Sequence, residues 1–285
     1  MTQSLNTLKR RLRGIESTHK ITRAMEMVAS VKLSRVRDAL HSSRPYFFKL
    51  EAILNDLLAN AGKISHPLLE KRTPSSKGAA LCVIASDTGL CGTYNQAVID
   101  VAEDFINRFD KGEIKLITVG KEAHTHFKKP GREIINSYAE LHGKYSDEIA
   151  GKILNDLVGV FLAKEADEIY VAYMRFGSTL RHHPQVEKFL NIEYTGNAGI
   201  NYIIEPGIDE LVEKIIPRYI SEKFRSIFLS ALTSEHSARM VAMKTATDNA
   251  EDLIDALMLQ RNKARQAQIT KEVIEIASGV EALRG

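Results

Sequence analysis

Near both ends of the chain, apolar residues recur in alternating steps of four and three. Leu8, Leu12 and Ile15, then Ala29, Leu33, Val36 and Leu40, follow this spacing, and Ile269, Val273, Ile276, Val280 and Leu283 repeat it near the C-terminus. Such spacing is the seam of a coiled coil. The N-terminal seam is interrupted by His19, Thr22 and Glu26, with Met25, Met27 and Val28 beside them. A coiled coil built for stability alone rarely carries such a break. Helix breakers are scarce in the same regions. Before Pro45 only Gly14 intervenes, and after Pro217 only Gly279 and Gly285. Both ends are therefore free to form long helices. A helix of about 55 residues is about 80 Å long, whereas a compact globule of this length has a radius of gyration of about 19 Å. Antiparallel pairing of the two helices as a stalk is the simplest arrangement. Pro217 predicts a kink or a helix restart, because proline lacks an N–H and crowds the preceding turn.

The middle of the chain follows a different rhythm. Ala79–Ala85, Ile114–Val119 and Glu168–Phe176 read as buried strands, separated by helical stretches near 95–108, 121–128 and 145–165. Strand alternating with helix implies a parallel or mixed sheet covered by helices. Val186–Ile192 and Tyr202–Ile204 would extend it. Gly62, His66-Pro67 and Thr73-Pro74-Ser75-Ser76 mark the entry to this domain, and Glu205-Pro206-Gly207 the exit. The expected fold is thus α/β plus coiled coil: a long antiparallel coiled coil of N- and C-terminal helices with an inserted Rossmann-like α/β domain. The expected divisions are 1–62, 63–208 and 209–285.

Composition adds few constraints. At 285 residues and 44% hydrophobic content the chain can bury a core. The net charge is only +3, but residues 1–40 hold nine Lys/Arg against three Asp/Glu. A basic helix of this kind suits a nucleic acid, an anionic lipid or an acidic protein partner, and is also a common solvated face. No run approaches the length of a membrane-spanning helix, and the first residues do not resemble a secretory signal. Two cysteines, Cys82 and Cys91, do not make a disulfide framework. These features point to a reduced, intracellular, soluble chain.

Candidate chemistry is sparse. Ser86–Gly92 follows the first strand, where an open α/β sheet places phosphate-binding turns. Neither GxGxxG nor GxxxxGK[ST] occurs, so the two glycines around Leu90-Cys91 read as a tight turn. Cys91 lacks an identifiable His partner and reads as packing. His124, His126, His182 and His183 lack a ligand framework and read as solvent-facing. The C-terminal helix has no aromatic residue from Leu229 onward. It is rich in alanine and carries Met240, Met243 and Met258, a soft surface suited to sliding contact.

Four segments carry a more specific signal: His19–Leu33 (HKITRAMEMVASVKL), Asp87–Gly92 (DTGLCG), Ala238–Asn249 (ARMVAMKTATDN) and Asn262–Thr270 (NKARQAQIT). In order and spacing they resemble the F-type ATP synthase gamma subunit family of bacterial type, over essentially the full length. The resemblance implies a central-stalk rotor subunit, non-catalytic itself, with no cofactor. It implies alpha, beta and epsilon subunits and a membrane c-ring as partners, no nucleic acid, and a peripheral position on the cytoplasmic side of the inner membrane. By match to the family's motifs, Met25, Arg239, Arg265, Gln266 and Thr270 face the beta subunits, and Glu205 belongs to the foot that meets the c-ring and epsilon. The family often has Tyr where this chain has Ile204, and is generally helical where Pro217 stands. With no Cys after Cys91, the chloroplast-type regulatory insertion is not expected. Two further readings are an α/β enzyme for nucleotides or phosphates with a coiled-coil dimerisation arm, opposed by the missing phosphate motif, and a basic coiled-coil nucleic-acid binder, which leaves the α/β domain unexplained.

Overall fold

The structure, a computed structural model, describes residues 5–60, 66–70, 72, 78–110, 112–129, 131–193 and 207–284. The expected strand Tyr202–Ile204 and the boundary residues Gly62 and Thr73–Ser76 lie outside the described residues. Two long helices bracket the chain: α1, Leu5–Asn60, and α5, Ile208–Arg284. Between them come β1 (Ala79–Ile84), α2 (Tyr94–Arg108), β2 (Ile114–Val119), α3 (Lys121–Phe127), β3 (Ile134–Tyr138), α4 (Asp147–Leu162), β4 (Glu168–Ser178) and β5 (Arg181–Leu190). By contact, the chain separates into two compact units. Ala29–Arg239 is one; residues through Val28 together with those from Met240 onward are the other.

In the larger unit the five strands are ordered β3-β2-β1-β4-β5. The first four run parallel and β5 returns antiparallel to β4. Each strand's period of two divides the core. Ala80, Cys82 and Ile84 of β1, with Val171 and Tyr173 of β4, meet α4 and the long helices through Ile153, Leu157, Leu40, Leu54, Phe224 and Phe228. The alternate residues Leu81, Val83, Ala172 and Met174 meet α2 and α3 through Tyr94, Val98, Ala123 and Phe127. A sheet covered on both faces is what the near-continuous apolar strands require. The unanticipated strand is β3, a half-exposed edge of five residues whose sequence, IINSY, lacks a strong apolar run.

Two prolines lie inside the long helices. Of the two outcomes expected at Pro217, a kink or a restart, the restart does not occur: α5 runs as one helix through it. Pro45 is likewise inside α1. Both prolines are on exposed faces, so water can solvate the carbonyl that each leaves without its usual N–H partner. Below Pro217, Tyr219 stacks on Phe47 of α1 with ring centroids 5.8 Å apart.

In the smaller unit the helices pair antiparallel. Leu8 and Leu12 of α1 are buried, as are Met243 and Ala250 of α5. The polar seam position Thr22 is buried too, and the Thr247 hydroxyl donates to its Oγ1 at 2.9 Å. The Thr22 hydroxyl in turn donates to His19 O at 3.1 Å. At Thr22 the seam break is therefore a hydrogen-bonded polar contact between the helices, while His19 Nε2 is buried without a partner. Counting outward from this pair, the described start of α1 at Leu5 is reached near Ala264. Ile254, Leu257, Arg261 and Ala264 are half-buried, whereas every residue from Arg265 to Val280 is exposed. The expected seam at Ile269, Val273, Ile276 and Val280 is therefore not buried against α1; Leu283's side chain lies outside the described residues. The spacing of this seam is coiled-coil-like, but α1 has no described residue left to pair with it.

Candidate functional site

The sheet's order reverses at β1, whose connections lead to β2 and β3 on one side while β4 lies on the other. In an open α/β sheet the crevice at the carboxyl ends of such strands is where a ligand binds. Here that crevice is filled by α5. The helix places Ser230, Thr233, Ser234, Glu235, His236, Ser237 and Arg239 in the interior, all less than 9% exposed. A buried polar group without a partner costs about 1–3 kcal/mol, and the ends of the strands supply partners. Phe176 N donates to Ser230 Oγ (2.9 Å), Ser234 Oγ to Met174 O (3.1 Å), Ser237 Oγ to Thr179 O (2.9 Å) and Tyr94 OH to Ala231 O (3.2 Å). The remaining seam-like hydroxyl, Thr233, bonds back to Leu229 O at 2.7 Å.

The turn after β1 is likewise engaged inward. Ser86 Oγ donates to Thr88 O at 2.7 Å, and Ser86 N donates to Asn95 Oδ1 at 3.0 Å. The Asp87 carboxylate accepts three backbone N–H groups, from Lys121 (3.2 Å), Glu140 (3.0 Å) and His142 (2.7 Å). This is the tight turn expected from the sequence. Cys91 is buried beside it, and burial pushes its thiol up, away from a reactive thiolate.

Arg239 closes the arrangement. Its Nη1 donates to Glu235 Oε1 at 2.6 Å and its Nη2 to Thr88 O at 2.9 Å and Thr88 Oγ1 at 3.2 Å. Burial raises the Glu235 carboxyl, and the Arg239 guanidinium opposes this. His236 Nε2 donates to Gly143 O at 2.7 Å. Its pKa falls to about 4, chiefly through burial, with Arg239 and Lys32 adding to the decrease. Gly143 has φ +63°, and a Cβ there would approach His236 Cε1 to 2.5 Å. The glycine thus permits the close approach of loop to helix. Lys32 of α1 donates to the adjacent His142 O at 2.9 Å.

The residues expected to face partners fall in different places. Met25 is half-buried; Arg265, Gln266 and Thr270 are all exposed, with Thr270 Oγ1 donating to Gln266 O at 2.9 Å. Arg239, expected on an outward face, is only 8% exposed, because its guanidinium is committed to Glu235 and the turn. Glu205, with Ile204 and Pro206, lies outside the described residues. The histidines also differ from expectation: only His183 is exposed, while His124, His126 and His182 are half-buried, and His126 bonds Glu103 at 2.8 Å. No metal-ligand cluster is found among the described residues. Sequence reading missed Asp87, Lys32, Glu235 and His236 as a linked set. The available signal was the polar run Thr233–Ser237 directly after the apolar-rich stretch Ile227–Leu232.

The fold and site define a class of protein: an α/β domain whose ligand crevice is filled by a long terminal helix, and a second unit in which the two terminal helices pair. The ATP synthase family matches residues 4–283. The chain is 37% identical over 285 residues to the ATP synthase gamma chain of Protochlamydia amoebophila, covering 99% of both chains. It is 38% identical over 284 residues to that of Pelotomaculum thermopropionicum, covering 98% of this chain and 99% of the relative. This chain belongs to the ATP synthase gamma-chain family. Its fold is also that of a chain in the Euglena gracilis mitochondrial ATP synthase (OSCP/F1/c-ring, rotational state 3), with a TM-score of 0.67, 18% identity and coverage of 98% and 94% of the two chains. A chain of the Tetrahymena thermophila mitochondrial ATP synthase central stalk and c-ring superposes with a TM-score of 0.60 and 22% identity, over 79% of this chain and 99% of that one.

Proposed function

We propose that this chain is the central-stalk rotor subunit of an F-type ATP synthase, transmitting torque between a membrane c-ring and catalytic beta subunits, without an active site of its own. The observation that carries this reading is the exposed helix Arg265–Val280. An apolar face of about three turns there has no partner in α1, as a shaft end inserted into a ring of other subunits requires. In this reading 1–62 and 209–285 form the shaft and 63–208 the base. Met25, Arg265, Gln266 and Thr270 meet beta subunits, and Glu205 belongs to the foot that meets epsilon and the c-ring. Arg239 then acts from inside the chain, by positioning the turn after β1. Filling of the crevice by α5 supports a non-catalytic role, because the usual place for a nucleotide is taken.

Among the described residues no helix is long and apolar enough to cross a membrane. Attachment to the cytoplasmic face of a bacterial inner membrane would therefore be peripheral, through the complex. The test is to mix the purified chain with separately purified alpha and beta subunits and record native mass and ATPase activity. One copy entering each hexameric ring and activating its ATPase is the expected result. Nucleotide hydrolysis by the chain alone, or failure to enter the ring, would overturn the reading.

A further inference from the structure

We propose that Asp87 and the loops it joins form a torsional collar that locks both long helices to the α/β domain; the proposal rests on the rotor reading. The three amides on the Asp87 carboxylate come from the start of α3 and from the loop after β3, so one side chain ties the turn after β1 to both. That loop then grips each long helix through a successive carbonyl: His142 O accepts from Lys32 of α1 and Gly143 O from His236 of α5. The turn after β1 grips α5 a second time, through Thr88 O and Arg239. On its other contacts, α5 is held by Ser230, Ser234 and Ser237 at the end of β4. Lys32 lies within one turn of Ala29, the first residue of the larger unit, and Arg239 is its last.

Apolar packing is proportional to buried area and has little directional preference, so it resists small rotations of a helix about its axis less sharply than directional contacts do. Hydrogen bonds lose strength steeply with misalignment, and those to charged groups are the strong ones. One residue of rotation in an α-helix is about 100°, which would break every polar contact of α5 together. The collar therefore adds directional torsional stiffness to that of the apolar core.

The experiment uses the complete enzyme assembled with Asp87→Asn or Lys32→Ala chains. Asparagine keeps the side-chain shape but turns one acceptor into a donor facing an N–H. Lys32 is half-buried, so its truncation leaves the fold intact if Asp87→Asn does not fold. Cys82 and Cys91 are buried, so a Leu180→Cys background, at a site 80% exposed, takes a bead or filament on the β4–β5 turn. With the alpha-beta ring fixed to a surface, angular fluctuations of that probe report stiffness. Asp87→Asn is expected to lower stiffness at least about two-fold and Lys32→Ala by less, both with ATPase activity of the ring within about two-fold of the parent and fewer protons pumped per ATP. Unchanged stiffness in folded, assembled variants would overturn the collar while leaving the rotor reading standing. Failure of the parent chain itself to rotate would overturn the rotor reading.

Discussion

Two stretches of the same helix have opposite relations to their surroundings. From Ser230 to Arg239, α5 buries serines, threonine, histidine and an Arg–Glu pair; from Arg265 to Val280 it exposes Ile269, Val273, Ile274, Ile276 and Val280. Polar residues lie inside and apolar residues outside, the reverse of the usual order. Each inversion has a definite reason. The first stretch meets the ends of strands, where carbonyl and amide groups project and must be satisfied. The second has no described part of α1 opposite it. Residue polarity therefore follows the partner, and the exposed stretch has its partner in other chains under the proposed function.

The comparison can be broken most forcefully at Arg239. Arg239→Ala would leave the Glu235 carboxylate buried without its cation, a loss of about 3–5 kcal/mol, seen as a lower denaturant midpoint of the isolated chain. A midpoint within error of the parent would mean that the pair does not hold the crevice. Arg239→Ala combined with Glu235→Leu should recover much of that loss, since no unpaired charge remains.

His236 gives the next effect, and it depends on pH. Its folded pKa of about 4 lies below the ordinary 6.5, so the unfolded chain binds the proton more readily. Its contribution is complete above the ordinary value and is lost as pH falls through that window, by about 3 kcal/mol in total at about 1.4 kcal/mol per unit. Glu235 works in the opposite sense, because its raised carboxyl takes up a proton on folding at pH values above the ordinary carboxylate range. The difference between parent and His236→Gln isolates the histidine. Melting curves from pH 7 to about pH 4 should show a shallower acid loss in the variant, and parallel curves would refute the assignment.

A smaller effect is expected at the polar layer of the paired helices. Thr247→Val removes the donor to Thr22 and should cost about 1 kcal/mol, again read by denaturation. The smallest effect on the chain itself belongs to the exposed stretch. Ile276→Ser, at a residue 68% exposed, should change stability by less than about 0.5 kcal/mol yet weaken activation of an alpha-beta ring. Met25→Lys should likewise spare the fold and lower ATP made per proton, through an added bond to an acidic beta segment; unchanged coupling would count against Met25 as a beta contact.

Much of this architecture was legible from local pattern. Leu33, Val36 and Leu40 are buried on their four-three spacing, and β1, β2 and β4 appear where apolar runs stood. These features depend on the helix and strand periods, which a residue's near neighbours display. The edge strand β3 was not legible, because half-exposed residues carry no strong alternation. Nor was the choice between a kink and a restart at Pro217, where α5 runs on as one helix with the proline facing water.

The candidate site divides in the same way. The tight turn at Asp87–Gly92 was readable from its glycines and from the absence of a phosphate motif, whereas the exposure of Arg265, Gln266 and Thr270 is seen only in the structure. By itself the sequence determined two long helices, an alternating α/β middle and the family to which they belong. Tertiary structure alone decided that Arg239 turns inward to a turn 151 positions away, that α5 fills the crevice beside β1, and that the apolar seam beyond Ala264 stays uncovered. Those outcomes depend on which distant groups meet and in what register, and no local period encodes that.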